Sequence, residues 1–282
     1  MKNWFRVAFV VPPSLVEVAS STLFDWSCVG LQEEEVAGGT CLIAYFEDQS
    51  RLSQVVMASE KLVARLNLAS EVQAAPVPDE DWTTSWRSYF KPVLATPRIL
   101  ICPPWSMEPA PPSGIVIAID PKMAFGTGHH ETTRLALCGL EMSVVGGERV
   151  LDVGTGSGIL SIAALKLGAE SIFAFDTDPP AVGNTKENLA LNGISGGVEV
   201  VEGSFSLVSG EFDLVVANII SSILIPMLPE VTEHTKKGGR AVLGGILARE
   251  RDAFCQAVTA AGFVIDNVLE EGEWICALGR KG

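Results

Sequence analysis

The segment that most constrains the fold runs over residues 150–160 and reads VLDVGTGSGIL. An apolar stretch ends in a loop with three glycines, Gly154, Gly156 and Gly158, and a second apolar stretch follows directly. Glycine permits a sharp turn and lets a ligand approach the backbone closely. The free N–H groups at the start of a following helix add positive dipole character. This order predicts a strand, loop and helix that bind a nucleotide or a nucleoside.

The spacing of the glycines narrows the class of cofactor. The dinucleotide fingerprint is G-x-G-x-x-G, with room for a pyrophosphate, whereas this loop reads G-x-G-x-G and follows Asp152. S-adenosylmethionine has no phosphate and offers an amino-acid end, a sulfonium and an adenosine. Asp152 could hold the ammonium group or hydrogen-bond the loop itself. The spacing therefore favours S-adenosylmethionine, and a nicotinamide oxidoreductase is the weaker alternative.

An acidic residue ends the next predicted strand, over residues 171–176. Asp176 lies about where a Rossmann unit places the carboxylate that binds a ribose. Asp178 precedes Pro179 and is better suited to cap the following helix. The pattern predicts that Gly154, Gly156 and Asp176 bind the cofactor.

Asn218 follows an apolar strand predicted over residues 212–217. This strand would end at the switch region of a doubly wound sheet, where ligands bind. The Asn218 amide could orient an amine or the cofactor, so we assign it both a catalytic and a cofactor-binding role. The alternative is that Asn218 caps a helix near residues 221–234.

A second glycine-rich turn, residues 120–133 (DPKMAFGTGHHETT), opens a helix upstream of the main loop. It is predicted to cover the cofactor as a lid, with Phe125, Gly126 and Thr127 in contact with it. The adjacent residues 129–131 (HHE) could suggest a metal. Neighbours in sequence do not share a helix face, and no distant third ligand is evident, so no metal site is predicted.

From residue 115 onward, apolar strands alternate with helical patterns, which is typical of an α/β doubly wound domain. Uninterrupted apolar strands such as residues 214–217 indicate a parallel sheet that is buried on both faces. Strands are predicted at 115–119, 149–153, 171–176, 198–202, 212–217 and 240–245, and helices at 132–145, 158–167, 179–192 and 221–234. Residues 115–282 are therefore predicted to form a Rossmann-like domain.

The N-terminal residues 1–77 show a different order of elements. Strands are predicted at 3–11, 27–33, 40–47 and 72–77, and helices at 14–24, where Ser14 would be the cap, and at 50–69. Strand, helix, strand, strand, helix, strand is the order of a small α+β, ferredoxin-like domain. Residues 78–114 are rich in tryptophan and proline and are interpreted as a linker with some structure of its own.

Composition excludes several classes of partner. The formal net charge of -14 argues against a surface that grips nucleic acid, which needs clustered lysine and arginine. The longest apolar stretch, residues 214–228, contains Asn218 and Pro226 and is too short to span a membrane. None of the six cysteines forms a C-x-x-C pair, which suits a reducing compartment. We therefore expect a cytoplasmic protein.

Taken together, the motifs resemble the ribosomal protein L11 methyltransferase family of class I enzymes. The resemblance covers nearly the whole chain, and the segment at 124–133 is its most specific part. It is carried by the stretch DWTTSWRSYFKP that ends at Pro92, by residues 124–133, by residues 151–167, by residues 176–179 and by residues 217–219.

The resemblance implies S-adenosylmethionine-dependent methylation of lysine and/or N-terminal amines of ribosomal protein L11. By position, Thr133, Gly154, Asp176 and Asn218 match the cofactor-binding residues of the family. The N-terminal domain would recognise the substrate protein. One departure concerns the lid, because the family usually has Thr-His-Pro where this chain has residues 129–131 (HHE).

Other functions remain open at this level. A related family methylates lysines on a subunit of an electron-transfer flavoprotein. A methyltransferase for another protein or for a small molecule would use the same cofactor loop. The alternative that is not an enzyme is a binding module that uses the fold to hold a partner. Failure to bind S-adenosylmethionine would favour this alternative.

Overall fold

The chain divides into two compact units, residues 1–89 and residues 90–282. Their structure is taken from a computed structural model that describes residues 4–36, 38–47, 49–68, 70–77, 91–120, 128 and 130–282. No helix within these described ranges is long and apolar enough to cross a membrane.

The described residues of the first unit form a four-stranded antiparallel sheet with two helices. Its elements are β1 (Trp4–Val11), α1 (Val16–Asp25), β2 (Gly30–Val36), β3 (Gly39–Glu47), α2 (Leu52–Arg65) and β4 (Gln73–Val77). The spatial order of the strands is β2-β3-β1-β4. Alternate side chains of β1, among them Phe5, Val7 and Phe9, are buried against Leu23 of α1 and Leu62 of α2. The period-2 pattern of β1 thus places one face of the sheet on the helices.

The two helices described in this unit differ in their bounds from the prediction. Helix α1 begins at Val16 rather than after a Ser14 cap, because residues 13–15 form a 3-10 turn in which the Leu15 N–H donates to the Pro12 carbonyl at 2.9 Å. Helix α2 ends at Arg65. Asn67 has a left-handed backbone (φ +53°), which cannot continue a right-handed helix.

The second unit contains a small sheet and a large one. The small sheet is formed by β5 (Val93–Thr96), β6 (Ile99–Cys102) and β7 (Ile115–Ala118), in that order. Strands β5 and β6 therefore lie inside residues 78–114, the predicted linker. Its proline-rich part, residues 103–112, contains no helix or strand.

The large sheet and its helices follow the predicted alternation up to residue 245. The elements are α3 (Glu131–Ser143), β8 (Arg149–Val153), α4 (Ile159–Leu167), β9 (Ser171–Asp176), α5 (Pro179–Leu191), β10 (Val198–Glu202), β11 (Phe212–Asn218), α6 (Ser221–Glu233), β12 (Thr235–Leu247), α7 (Arg251–Ala260), β13 (Phe263–Glu271) and β14 (Trp274–Lys281). Strand order is β10-β9-β8-β11-β12-β14-β13.

Strands β10, β9, β8, β11 and β12 are parallel, and β14 is antiparallel to both β12 and β13. The predicted parallel sheet therefore has two antiparallel members. The chain order reverses between β8 and β11, so the loops after these strands diverge and leave a crevice at their carboxyl ends.

Both faces of the large sheet are buried. On one face Val150 and Val216 pack in a cluster with Leu160, and on the other Leu151 and Val215 pack with residues of α6 and α7. Burial on both faces is why these strands read as continuous apolar runs in the sequence. Helix α7 and strands β13 and β14 were not predicted.

Candidate functional site

The glycine loop after β8 adopts the conformation that its sequence predicts. Gly154, Gly156 and Gly158 have φ values of +70°, +57° and +80°, which residues other than glycine rarely adopt. Gly158 is the N-cap of α4. The N–H groups of Gly154 and Thr155 donate to the Phe175 carbonyl at 2.9 and 3.1 Å, which ties the loop to the end of β9.

Asp152 stabilises this loop from below. Its carboxylate is fully buried and accepts hydrogen bonds from Thr155 Oγ1 at 2.9 Å and Ser161 Oγ at 2.6 Å. Burial raises the Asp152 pKa to about 6, against the opposing effect of these two hydrogen bonds. Of the two roles that the sequence left open, the described contacts support the hydrogen bonding of the loop.

Asp176 joins the loop to the next strand end. Its Oδ2 accepts from the Gly156 N–H at 2.9 Å, and its Oδ1 accepts from the Asp178 N–H at 3.0 Å. Asp178 occupies the N-cap position of α5, as predicted, but its side chain makes no capping hydrogen bond. Asp176 is thus held beside the glycine loop with part of its surface open to the adjoining cavity.

Asn218 is the last residue of β11. Its Oδ1 is buried and accepts no hydrogen bond from any described residue. The capping alternative does not hold, because the N-cap of α6 is Ile220 and no side chain caps it. A buried amide oxygen without a donor costs free energy, of the order of 1–3 kcal/mol, unless something binds to it. The Asn218 Oδ1 atom is therefore available to accept a hydrogen bond from a ligand.

These side chains surround a cavity of about 420 Å³ at the carboxyl ends of β8, β9 and β11. Four of the predicted site residues line this cavity: Gly154, Gly156, Asp176 and Asn218. The other lining residues are His130, Thr132, Val153, Thr155, Ile159, Leu160, Phe175, Thr177, Ile219, Ile220, Ile223, Met227, Gly245 and Trp274.

The remaining predicted residues are placed differently. Thr133 is fully buried in the first turn of α3 behind His130 and Thr132, and its Oγ1 has no partner in the described part of the chain. It does not line the cavity, although its neighbours do. Phe125, Gly126 and Thr127 lie outside the described residues.

Two aromatic residues that sequence reasoning did not select as binding residues also line the cavity. His130 caps α3 and its Nδ1 lies 2.9 Å from Thr132 Oγ1. Trp274 begins β14, and its ring meets the His130 ring edge-on with centroids 5.1 Å apart. No local pattern marks Trp274, because β14 comes to the site only through its antiparallel insertion beside β12.

Helix α5 supplies a polar stripe that was also missed. Thr185 Oγ1 donates to the Gly156 carbonyl at 2.9 Å, and Asn188 Nδ2 donates to the Ser157 carbonyl at 2.8 Å. Asn188 Oδ1 accepts from the Asp120 N–H at 2.9 Å, so this side chain bridges the glycine loop and the segment that follows β7. The three-residue spacing of the polar residues Thr185 and Asn188 on one face of a helix was the available signal.

The cavity suits S-adenosylmethionine in size and chemistry. Its volume lies within the range of ligand pockets, about 300–1,000 Å³. Much of the lining is apolar, and a few polar groups, among them Asp176 and Asn218, point to it. None of the described lining residues is a lysine or an arginine, so a cofactor with phosphates would lack a basic side chain.

Among the residues that the structure describes, no group of three or more His, Cys, Asp and Glu side chains is placed to hold a metal ion.

A mixed seven-stranded sheet with a glycine loop, an acidic second strand end and a cavity at the switch point defines a class I, Rossmann-like methyltransferase. Residues 14–282 match the family model described as ribosomal protein L11 methyltransferase (PrmA). The chain therefore belongs to the ribosomal protein L11 methyltransferase family, as the motifs indicated, and is an S-adenosylmethionine-dependent methyltransferase.

Individual relatives agree with this assignment. The chain is 37% identical to the ribosomal protein L11 methyltransferase of Geobacter sulfurreducens, with 99% of both chains covered. It is 34% identical to that of Limosilactobacillus reuteri, with 99% of this chain and 98% of the relative covered. The crystal structure of ribosomal protein L11 methylase from Lactobacillus delbrueckii subsp. bulgaricus is similar with a TM-score of 0.64 and 37% identity, over 68% of this chain and all of that one.

Proposed function

We propose that this chain transfers methyl groups from S-adenosylmethionine to lysine and/or N-terminal amines of ribosomal protein L11. The observation that carries the proposal is the buried Asn218 Oδ1, which lies at the cavity without a donor among the described residues. The names of the relatives support ribosomal protein L11 as the substrate.

The cofactor would be held by residues of the predicted set. Gly154 and Gly156 let it approach the backbone, and Asp176 accepts hydrogen bonds from its ribose hydroxyls. We assign cofactor-binding roles also to Thr133 and Asn218, and to Phe125, Gly126 and Thr127. When bound, the cofactor supplies a methyl group that is already activated by its positive sulfonium.

The protein's own task is to present a neutral amine in line with that methyl group. Asn218 Oδ1 can accept an N–H of the amine and so aim the nitrogen lone pair away from the amide. A lysine amine has a reference pKa of about 10.4 and must lose a proton first. Apolar walls such as Ile219 and Ile223 disfavour its charged form and lower its pKa. A side-chain general base is not required.

The N-terminal residues 1–77 are proposed as a ferredoxin-like domain that recognises the substrate protein. The antiparallel order β2-β3-β1-β4 with two helices supports this assignment. The net charge of -14 favours a basic protein partner over nucleic acid. A cytoplasmic location agrees with a ribosomal substrate.

The test is an assay with labelled S-adenosylmethionine and two substrates, purified ribosomal protein L11 and a mixed protein extract, with mass spectrometry to locate the label. We expect label on amines of L11. We expect Asn218→Ala to lower the single-turnover rate at saturating cofactor by about 10–100-fold, because one transition-state hydrogen bond is lost. Residues 78–282 alone should bind the cofactor and lose activity on L11.

Each outcome is informative. Label only on another protein would reassign the substrate and keep the methyltransferase. An unchanged single-turnover rate in Asn218→Ala would remove its orienting role.

A further inference from the structure

The start of α3 and the β13–β14 hairpin form one wall of the cavity. His130 caps the helix, and Trp274 is the first residue of β14. We call this pair the hairpin wall. Its two rings are in contact although they are 144 positions apart in the sequence, so their contact depends on how the helix and the hairpin pack.

An ion-pair cluster joins the same two elements. Arg134 Nη2 donates to Glu271 Oε1 at 2.6 Å, and Arg134 Nε donates to the same carboxylate at 3.0 and 3.3 Å. Arg134 Nη2 also lies 3.3 Å from Glu131 Oε1, one helical turn earlier. We call Glu131, Arg134 and Glu271 the Arg134 clasp.

The position of the clasp ties it to the aromatic pair. Glu131 and Arg134 lie in the first turn of α3, directly after His130. Glu271 is the last residue of β13 and is paired in register with Trp274. The clasp therefore connects the helical turn that follows His130 with Glu271, which lies opposite Trp274 in the hairpin.

The geometry is that of an organised contact. The guanidinium presents two nitrogens to one carboxylate, the arrangement that gives an Arg–carboxylate pair its directional specificity. The Arg134 side chain is 20% exposed, against 45% for Arg251 in the neighbouring Arg251–Glu270 pair. The pKa of the Glu131 carboxyl is lowered, first by its own backbone N–H and then by the positive charge of Arg134.

We propose that Arg134 is a positioning residue that clamps the first turn of α3 to the β13–β14 hairpin and so holds His130 and Trp274 in the cavity wall. This inference rests on the proposed function of the cavity. The loop wall (Gly154, Thr155, Gly156 and Asp176) is held by its own hydrogen bonds. Loss of the clasp is therefore expected to disturb the hairpin wall and the presentation of the amine more than the cofactor contacts of the loop wall.

The test compares Arg134→Gln with Arg251→Gln in the full chain. Both changes remove one arginine that pairs with a neighbouring glutamate of β13, but only Arg134 reaches the cavity wall. In Arg134→Gln we expect kcat/KM for ribosomal protein L11 to fall about tenfold, as a small misplacement of a reacting group does. The Kd of S-adenosylmethionine should rise by less than kcat/KM falls, because the loop wall keeps its contacts although Thr133 lies in the disturbed turn. Arg251→Gln should change neither quantity.

Hydrogen exchange by mass spectrometry supplies a readout that needs no acceptor. Arg134→Gln should speed amide exchange in residues 131–136 and 270–276 and leave residues 150–160 unchanged. Glu271→Gln should reproduce this pattern from the other side of the contact. Arg134→Lys keeps the charge without the two-nitrogen geometry, so it should restore activity in part.

The proposal is overturned if Arg134→Gln matches Arg251→Gln in both exchange and kcat/KM. It is also overturned if cofactor affinity falls as far as kcat/KM, because the effect would then not be confined to the hairpin wall. Failure of the native chain to methylate L11 would reject the proposed function instead. The exchange measurement would then still decide whether the clasp holds the wall.

Discussion

The two walls of the cavity are built in opposite ways. Residues of the loop wall come from two adjacent strand ends, and each of their side-chain hydrogen bonds joins residues that are at most 29 positions apart in the sequence. The hairpin wall brings together His130 and Trp274 and is joined by Arg134 and Glu271, which are 137 positions apart. A cofactor loop can thus be encoded locally, whereas the hairpin wall depends on how distant elements pack.

The largest effect that tests this comparison is expected in the loop wall. Asp176→Ala removes the acceptor of the Gly156 N–H and the proposed ribose contacts. Hydrogen bonds to a charged group contribute about 1.5–3 kcal/mol, so we expect the Kd of S-adenosylmethionine to rise about 100-fold by calorimetry. The matched control is Asp178→Ala, because that side chain is exposed and makes no capping bond. Equal losses in the two variants would show that Asp176 has no special place in the loop wall.

A smaller effect should follow from crowding Asn218, which lies between the two walls. A Cβ at Gly244 would come 3.1 Å from Asn218 Oδ1, closer than most real contacts. Gly244→Ala should therefore shift the amide and lower the single-turnover rate about tenfold, with a smaller change in cofactor Kd. Gly183→Ala is the control, since a Cβ there meets nothing within 4 Å on the exposed side of α5. A native rate in Gly244→Ala would mean that the Asn218 position tolerates displacement.

The smallest effect concerns the support of the loop wall. The Asp152 pKa rises from its ordinary 3.8 to about 6 on folding, chiefly through burial. The folded chain thus favours the protonated form of Asp152 more than the unfolded chain does. Its contribution to stability is complete below about pH 4 and is lost as the pH rises through 6.

The measurement is the Tm of the native chain and of Asp152→Asn between pH 4 and 7. The native Tm should fall by a few degrees relative to the variant over this range, since ~1 kcal/mol corresponds to ~2–4 °C at this size. If Tm changes with pH in the same way in the native chain and in Asp152→Asn, the ionisation of Asp152 does not affect the stability of the fold. That result would also weaken the view that Asp152 is the buried support of the loop.

Much of the architecture was predictable because it is locally encoded. The strand ends at Val153 and Asp176 agree with prediction, and β11 ends one residue later than predicted, at Asn218. Each is marked by an apolar run that stops at a polar or glycine residue. The roles of Asp176 and Asn218 in binding stay predictions until the variants are measured.

The elements after residue 245 escaped prediction for identifiable reasons. Strand β13 contains Asp266 and Asn267 at a register shift, which interrupts the period-2 pattern. Strand β14 is buried and apolar at Ile275–Leu278 and could have been recognised. Helix α7 shows its buried side only at Phe254 and Val258, one turn apart.

The amino-acid order alone determined the glycine loop, the α/β alternation and the family, because positive φ angles and buried strands demand particular residues at neighbouring positions. Tertiary structure decided that Trp274 faces His130, that Arg134 reaches Glu271, and that Asp152 serves the loop. These contacts depend on the antiparallel insertion of β14 beside β12 and on which carboxylate becomes buried. Such outcomes follow from the packing of the whole sheet, which no local window of sequence contains.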